Sequence, residues 1–312
     1  MKPAWTDPPS VGLRTCCAEA LQRALARGAA SLDTQARSAL SGYVYGQLSE
    51  DGGFRGRAAA GDLYYTVFGL ECARALGLDL PLDRIRAFVE TRQDALLDFV
   101  HMTCLARCLD LLPSGGGSPA SRARLSGQLA GHVCVEGGYH RQPGQRRGSV
   151  YESFLGALAA ESLGEALPNP AGLSALLACL RKPSGGFVNS DGWGATSTPV
   201  SAAALLLLCE LGQPVPAQSV EWLAGRQRAG GGFAAASLAP LSDLLSTATA
   251  LHALNRIGSL QAVQIESCLG FVTGCWDDSG GFHAHGLDRT PDCEYTFYGL
   301  LALGNLVAET GM

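Results

Sequence analysis

The sequence predicts an all-α fold, an (α/α)6 barrel or toroid of six inner and six outer helices. Two observations lead to this prediction. A Gly-Gly-aromatic tripeptide recurs along the 312 residues, and apolar segments alternate with amphipathic ones. Self-similarity at a fixed period is the signature of a repeat architecture. The tripeptides begin at Gly52, Gly137, Gly185, Gly231 and Gly280.

The spacing of the tripeptides gives the number of repeats. Successive starts lie 85, 48, 46 and 49 residues apart, so the first interval is long enough for two units. The second unit, at about residues 81–113, keeps the helical pattern without the tripeptide. Six units are therefore predicted.

Each tripeptide is followed by a residue that favours a helix N-cap and then by a stripe of small residues. The cap stands ten residues after the aromatic in four units and eight residues after it in the first. Small residues follow four and seven places later, and these positions share one helical face. The stripe predicts the close approach of another group to each helix. The caps are Asp62, Ser149, Ser197, Asp243 and Asp292.

The hydrophobic pattern separates inner from outer helices. Segments after the caps, such as VSAAALLLLCELG, are apolar nearly all round, and segments before the tripeptides, such as LDRIRAFVETRQ, are amphipathic. The first kind needs enclosure and the second can enclose it. Residues 10–30 are predicted as an additional helix. The predicted division is an N-terminal helix within 1–30, packed on the barrel, and a single domain over 31–312.

Composition excludes several classes of protein. Apolar residues make up 47% and charged residues 16%, which argues against disorder, and the net charge of -5 gives no field favouring nucleic acid. The longest uncharged apolar run, about 200–209, is shorter than the ~20 residues needed to span a bilayer. The first ten residues have prolines where a signal peptide needs an apolar stretch. We expect a soluble, cytoplasmic protein. The 11 cysteines include no CxxC pair and are expected to be reduced.

These motifs resemble the repeat of protein prenyltransferase β subunits and squalene/oxidosqualene cyclases. Gly-Gly-Phe-Arg-Gly-Arg at 52–57, followed by Asp62-Leu-Tyr-Tyr-Thr, is similar to the prenyltransferase form. Gln227-x-x-x-Gly-x-Phe is similar to the cyclase signature. The resemblance covers about residues 31–307. It implies a substrate that is a prenyl diphosphate or a terpenoid, held in an apolar barrel.

The resemblance also implies a zinc site. Prenyltransferases hold zinc with the cap Asp of the fifth inner helix, a Cys two residues later and a His three residues after the sixth cap. Asp243 matches the first ligand, but the other two positions hold Leu245 and Tyr295. The sixth unit offers His and Cys donors that suit zinc, and the alternative is an ordinary polar loop. The candidate metal ligands are Asp243, Asp292, Cys293, His283 and His285.

A cyclase-type acid is the second implication. Squalene cyclases protonate an alkene with the middle carboxyl of Asp-x-Asp-Asp-Thr at the mouth of an inner helix. The same register here holds Asp62-Leu-Tyr-Tyr-Thr and Asp292-Cys-Glu-Tyr-Thr. The candidate catalytic acids are therefore Asp62, Asp292 and Glu294, and the alternative is a capped helix with an acidic first turn.

Basic residues of the first and third turns predict an anion site. Arginine suits bidentate binding of phosphate, and helix N-termini attract anions. No acidic residue stands between Tyr139 and Ser149. The alternative is a solvated surface. The candidate substrate-binding residues are Arg55, Arg57, Arg141, Arg146 and Arg147 for a diphosphate, with Tyr65 and Tyr295 beside the apolar part.

The first functional hypothesis is therefore an enzyme acting on a prenyl diphosphate or terpenoid, with prenyl transfer ahead of cyclisation. One alternative is a terpene cyclase with acid chemistry at Asp292 and Glu294. Another is a non-catalytic toroid that binds an isoprenoid or serves as a scaffold. The resemblance also implies that a partner subunit of the α type could bind the barrel.

Overall fold

The structure is a computed structural model that describes residues 16–93, 95–113, 116–192 and 194–310. Within these ranges the regular elements are thirteen α-helices and one 3-10 helix, Leu260–Ala262, with no β-strand. The predicted all-α fold is confirmed. None of the helices in this part of the chain is long and apolar enough to cross a bilayer.

Six helices form the inner layer and six form the outer layer, as predicted. The inner helices are α3 (Leu63–Leu76), α5 (Phe99–Leu111), α7 (Val150–Leu163), α9 (Thr198–Glu210), α11 (Leu244–Arg256) and α13 (Cys293–Thr310). The outer helices are α2 (Thr34–Gly46), α4 (Leu82–Arg92), α6 (Pro119–Ala130), α8 (Pro170–Leu180), α10 (Ala217–Ala224) and α12 (Ile265–Gly274). Each inner helix contacts the next along the chain, and α13 contacts α3, so the inner ring is closed.

The predicted cap residues stand directly before their inner helices. Asp62, Ser149, Asp243 and Asp292 each accept a hydrogen bond from a backbone N–H of the first turn, which is the usual role of an N-cap side chain. Ser197 precedes α9 without such a side-chain bond. We call the end of the barrel where the inner helices begin the mouth, and the end where they finish the base.

The stripe of small residues holds the tripeptide aromatic of its own unit. In the first unit the Phe54 N–H donates to Thr66 Oγ1 at 2.9 Å, and a Cβ on Gly69 would lie 2.3 Å from the buried Phe54 ring. The equivalent amide bond occurs in the four other units that carry the tripeptide, at 2.9 to 3.3 Å. In these five units the group that approaches the inner helix closely is therefore part of the chain itself.

The first glycine of each tripeptide sets its turn against the next outer helix. Gly280 has a φ of 94°, and a Cβ there would lie 2.5 Å from the carbonyl oxygen of Ala39 in α2. Only glycine adopts this backbone and this contact without strain. Because α2 belongs to the first unit, the turn of the sixth unit closes the outer layer.

The additional N-terminal helix is α1, Cys17–Ala30, and it lies across the base. Predicted helical residues 10–15 fall outside the described residues. Helix α1 contacts α13 most extensively and also α3, α7 and α11. Its backbone packs against α13 where Gly28 meets the Leu300 carbonyl and Gly304 meets the Ala24 carbonyl. The eleven cysteines are all free thiols, as expected, and most are buried.

Candidate functional site

The inner helices enclose a cavity of about 180 Å³ on the barrel axis. Its wall is mostly apolar, and Leu21 of α1 contributes from the base. Aromatic rings in the wall contact one another edge to face, with centroid distances of 5.0 Å for Tyr64 and Phe68 and 5.1 Å for Phe68 and Phe297. The aromatic lining residues are Tyr64, Phe68, Tyr151, Phe154, Phe297 and Tyr298.

One positional rule describes the wall. With Asp98 as the cap of α5, residues two and six places after the cap line the cavity in all six units. The rule follows from the cap register, because positions four apart share a helical face. It identifies Tyr151, which was not predicted from the sequence. At the second place stand Tyr64, Val100, Tyr151, Pro199, Leu245 and Glu294; at the sixth stand Phe68, Cys104, Leu155, Ala203, Thr249 and Tyr298.

Glu294 is the one predicted acid among the residues that line this cavity. Its Oε1 accepts a hydrogen bond of 2.7 Å from the Tyr64 hydroxyl. Burial raises the pKa of Glu294 to about 7, Asp292 adds to this rise, and the bond from Tyr64 opposes it. Near neutral pH a substantial fraction of this carboxyl is therefore protonated. The arrangement places a proton donor in an apolar, aromatic space.

The other two predicted acids serve as helix caps at the mouth. Asp292 is buried, its Oδ1 accepts from the backbone N–H of Tyr295 at 2.8 Å, and burial raises its pKa. Asp62 Oδ1 accepts from the Tyr64 N–H at 2.8 Å, and its other oxygen lies 3.6 Å from His101 Nε2. Both carboxyls stand next to the lining residues without belonging to the wall.

The two predicted tyrosines flank the cavity. Tyr65 lies against Gly56 of the first turn, where a Cβ would fall 2.1 Å from its ring. Burial raises the pKa of Tyr65, and it raises the pKa of Tyr295 to about 12. Neither residue belongs to the cavity wall.

The predicted arginines of the third turn have acidic partners. Arg146 and Arg147 both pair with Glu136 at 2.9 Å, and Arg147 also pairs with Asp191. Arg141 pairs with Glu152 at 2.8 Å. The segment 139–149 is free of acids, but its neighbours supply them, so the third turn is not a field of uncompensated positive charge.

The predicted arginines of the first turn are also engaged. Arg57 pairs with Asp288 of the sixth turn at 2.5 Å. The Arg55 guanidinium donates to Gly46 O at 3.2 Å and to Gln47 Oε1 at 3.4 Å. A diphosphate held by the five predicted arginines would require the ion pairs at this end of the barrel to open.

The predicted zinc ligands do not converge. Both Asp243 oxygens bond Ser246 in the cap, and His285 Nδ1 accepts from the backbone N–H groups of residues 287 and 288. The Cys293 thiol is fully buried, which raises its pKa. His283 is buried with no hydrogen-bond partner at Nδ1 among the described residues. As a set these four residues, with Asp292, do not fit zinc, and no step is derived through a metal at the mouth.

A different group of side chains, with atoms of the types that ligate metals, lies at the base. Among the described residues, Cys17, Glu161 and Glu210 have ligand atoms that all lie within 4.8 Å of one another. Their types suit zinc. Glu161 also accepts from the N–H groups of Cys17 and Ala18, at 3.1 and 2.8 Å, and so caps α1. Burial raises the pKa of both Glu161 and Cys17.

Fold and site together define a class: an α-α toroid with a closed inner ring and an apolar axial cavity, to which the described residues contribute one protonatable carboxyl. The sequence profile of the prenyltransferase alpha-alpha toroid domain matches residues 15–107 and 199–309. The chain belongs to this family. No curated protein matches the chain in sequence.

Solved structures share this fold at low sequence identity. A protein geranylgeranyltransferase-I from Candida albicans, complexed with GGPP, is 14% identical with a TM-score of 0.65, covering 95% of this chain and 93% of that one. A variant of the type II terpene cyclase MstE from Scytonema, in complex with its product merosterolic acid A, is 15% identical with a TM-score of 0.61, covering 95% and 99%. A protein from Actinoplanes is 17% identical with a TM-score of 0.59, covering 89% and 99%.

Proposed function

We propose that this protein is an enzyme that binds a terpenoid substrate in its barrel cavity and protonates it from Glu294. The observation that carries the proposal is the 2.7 Å bond between Tyr64 and Glu294 inside an apolar wall. It favours the cyclase-type alternative over prenyl transfer, because the acid lies in the cavity and four of the five predicted arginines are ion-paired.

The chemistry follows from these groups. The proton of the Glu294 carboxyl passes to one carbon of an alkene, and the π pair forms the new C–H bond. The cation left on the other carbon takes the π pair of a second alkene, which closes a ring. The final cation then loses a proton to solvent and Glu294 regains one from solvent, so the net reaction is an isomerisation. Tyr64 stabilises the carboxylate that remains and so makes Glu294 a stronger acid.

The rest of the wall suits a cationic intermediate. Aromatic faces attract cations within about 6 Å of a ring centroid, and six aromatic side chains line the cavity. The apolar wall also limits water, which would capture a cation. At about 180 Å³ the cavity is slightly larger than an engineered cavity of about 150 Å³ that binds benzene. It therefore suits the part of an isoprenoid that forms a single ring.

The experiment is incubation with farnesyl and geranylgeranyl diphosphates and with the corresponding alcohols, followed by mass-spectrometric product analysis. We expect cyclic isomers of the substrate. Glu294→Gln should reduce their formation by about 10²- to 10⁴-fold, the usual range for a general acid. Glu136→Gln, which removes a carboxyl from the mouth surface, is the matched control. Full cyclisation by Glu294→Gln would rule the proposal out.

Prenyl transfer is the second candidate. It is favoured by the similarity to a geranylgeranyltransferase complexed with GGPP and by the arginines at the mouth. Release of diphosphate with transfer of the prenyl group to an added acceptor would identify it. A zinc ion and an α-type partner subunit belong to this candidate, and co-purification of a second chain would test the partner.

A further inference from the structure

The cavity on the barrel axis has a floor, which one position of the inner helices forms. Five of the six residues that stand nine places after a cap line the cavity. At a rise of about 1.5 Å per residue, the ninth place lies about 10 Å deeper along an inner helix than the second place, where Glu294 stands. Glu294 and the floor are therefore separated along the barrel axis. The floor residues are Arg107, Leu158, Leu206, His252 and Leu301.

Arg107 is the charged residue of the floor. Its Nη2 donates to Glu71 Oε1 at 3.0 Å, and both side chains are largely buried, with 11% and 5% of their surface exposed. Glu71 occupies the ninth place of the first unit but does not line the cavity, so it holds the guanidinium from behind. His252, the other polar floor residue, is neutral near neutral pH, because burial lowers its pKa to about 4. Among the described residues, Arg107 alone brings a formal charge to the floor.

The Arg107 guanidinium has N–H donors that the protein does not use. A guanidinium carries five N–H groups, and in the described part of the chain Glu71 is the one hydrogen-bond partner of Arg107. Its nitrogen atoms without a partner keep accessible surface, since none of them is among the buried unpaired atoms. Its charge also reaches the cavity wall, because burial raises the pKa of Tyr298 and Arg107 opposes this rise. The floor therefore offers unused N–H donors to an oxygen atom in the cavity.

The ion pair with Glu71 already balances the charge of Arg107. Burial raises the pKa of Glu71, and Arg107 opposes this rise by favouring the carboxylate. A bound anion would add a charge without a partner to an apolar space, which is costly. A neutral hydroxyl or carbonyl oxygen accepts a charge-assisted hydrogen bond and adds no charge. The floor therefore suits a neutral oxygen better than an anionic one.

We propose that the floor binds a neutral oxygen atom of the substrate, in a hydroxyl or carbonyl group, through Arg107. Glu71 is the positioning residue that holds the guanidinium and balances its charge. The inference rests on the proposed function, because it names the substrate class of the same cavity: a terpenoid alcohol or carbonyl compound rather than a diphosphate. The oxygen enters first and lies deep in the barrel, with the reacting alkene nearer the mouth at Glu294. A diphosphate held by the arginines of the mouth would lie the other way round.

The test is calorimetric titration of the full chain, at mildly alkaline pH, with geraniol and with the hydrocarbon that lacks only its hydroxyl group. We expect the wild type to bind geraniol more tightly. Glu71→Met with Arg107→Met should weaken geraniol binding by about 10- to 100-fold, the contribution of one charge-assisted hydrogen bond, and leave hydrocarbon binding unchanged. Both residues are replaced together because apolar side chains of similar volume often replace a buried ion pair without loss of stability, whereas Arg107→Met alone would leave the Glu71 charge buried without a partner.

Glu71→Gln is the second variant, and it carries the test if the double variant unfolds. It removes the counter-charge and keeps Arg107, so the floor should now favour an anion. The wild type should bind geranic acid, which is ionised at this pH, more weakly than geraniol, and Glu71→Gln should reverse this order. The matched control is Glu19→Gln with Arg23→Gln, which removes an exposed ion pair of α1 outside the cavity and should bind all three ligands like the wild type.

The proposal is overturned if the wild type binds geraniol no more tightly than the hydrocarbon, if the double variant keeps the wild-type affinity for geraniol, or if the wild type prefers geranic acid to geraniol. These measurements do not depend on proton transfer, and Glu294→Gln should keep the preference for geraniol. Binding that depends on Arg107 without cyclic products would refute the acid chemistry and support the floor site. Cyclic products that require Glu294, with no preference for the oxygen, would refute the floor site and support the acid chemistry.

Discussion

Tyr64 and Glu294 are separated by 230 residues in the chain and meet at 2.7 Å in the cavity. Each is the second residue of its inner helix, Tyr64 in the first unit and Glu294 in the sixth. These units are neighbours only because α13 packs against α3 and closes the ring. The proposed acid and the group that adjusts its strength are therefore assembled at the point of closure.

Tyr64→Phe should raise the pKa of Glu294, because it removes a hydrogen bond that stabilises the carboxylate. We expect the midpoint of the pH–rate profile to move upward from about 7 by about one unit or more, with a lower maximal rate since the acid is weaker. Tyr151→Phe changes the equivalent residue of the third unit and should leave the midpoint in place. An unmoved midpoint in Tyr64→Phe would exclude a functional bond.

Glu294 should make the stability of the protein depend on pH. Its pKa rises from 4.5 to about 7 on folding, so between these values the folded state binds more protons than the unfolded state. Its contribution is fully present below the lower value and is lost as the pH rises through the higher one. Denaturant titrations should show Glu294→Gln gaining free energy of unfolding relative to wild type over this interval, by at most about 1.4 kcal/mol per pH unit. A constant difference would contradict the raised pKa.

Gly69→Ala should destabilise the barrel. The new Cβ would lie 2.3 Å from the Phe54 ring, which is fully buried and cannot move without disturbing the turn. Overpacking of this kind costs about 1–3 kcal/mol. Gly42→Ala is the matched control. Gly42 is exposed on α2, and a Cβ there would have no neighbouring atom within 4 Å, so the free energy of unfolding of this variant should increase by up to about 1 kcal/mol. Thermal unfolding of both variants gives the comparison.

Zinc content should be insensitive to His285→Ala. His285 Nδ1 accepts two backbone hydrogen bonds, and the other predicted ligands are directed elsewhere. Elemental analysis of protein loaded with zinc and passed over a desalting column gives the measurement. Any retained zinc should fall in Cys17→Ser, because Cys17 belongs to the group at the base. Zinc lost from His285→Ala would show that the mouth holds it.

The sequence was sufficient for the fold because the repeat is a local pattern. The cap at Asp62, the hydroxyl at Thr66 and the glycine at Gly69 all act on Phe54, within one unit. The position of each cap also fixes which residues of its inner helix line the cavity, so the wall was predictable in principle. Tyr151 was not predicted as a wall residue because the stripe of small residues marks the helical face that holds the aromatic and not the face that lines the cavity.

Contacts between units could not be predicted from the sequence. Arg57 and Asp288 are 231 residues apart, and Arg147 and Asp191 are 44 apart, so their pairing depends on the curvature of the ring. The diphosphate hypothesis counted positive charges in two turns but not the acids that pair with them. Glu136 and Glu152 of the third unit itself were overlooked. Asp288 and Asp191 come from neighbouring units and could not be assigned to these arginines from the sequence.

The contact between Gly280 and Ala39 has a consequence for how the chain folds. In an open array of helical repeats each unit is stabilised by its neighbours, and folding spreads along the chain. Here the first outer helix lacks one neighbour until residue 280 has been synthesised, and α1 lacks its main partner until α13 exists. The amino-terminal units must therefore wait for the carboxyl-terminal one. Such long-range closure slows folding, and it makes the six repeats a single cooperative unit rather than a series of independent ones.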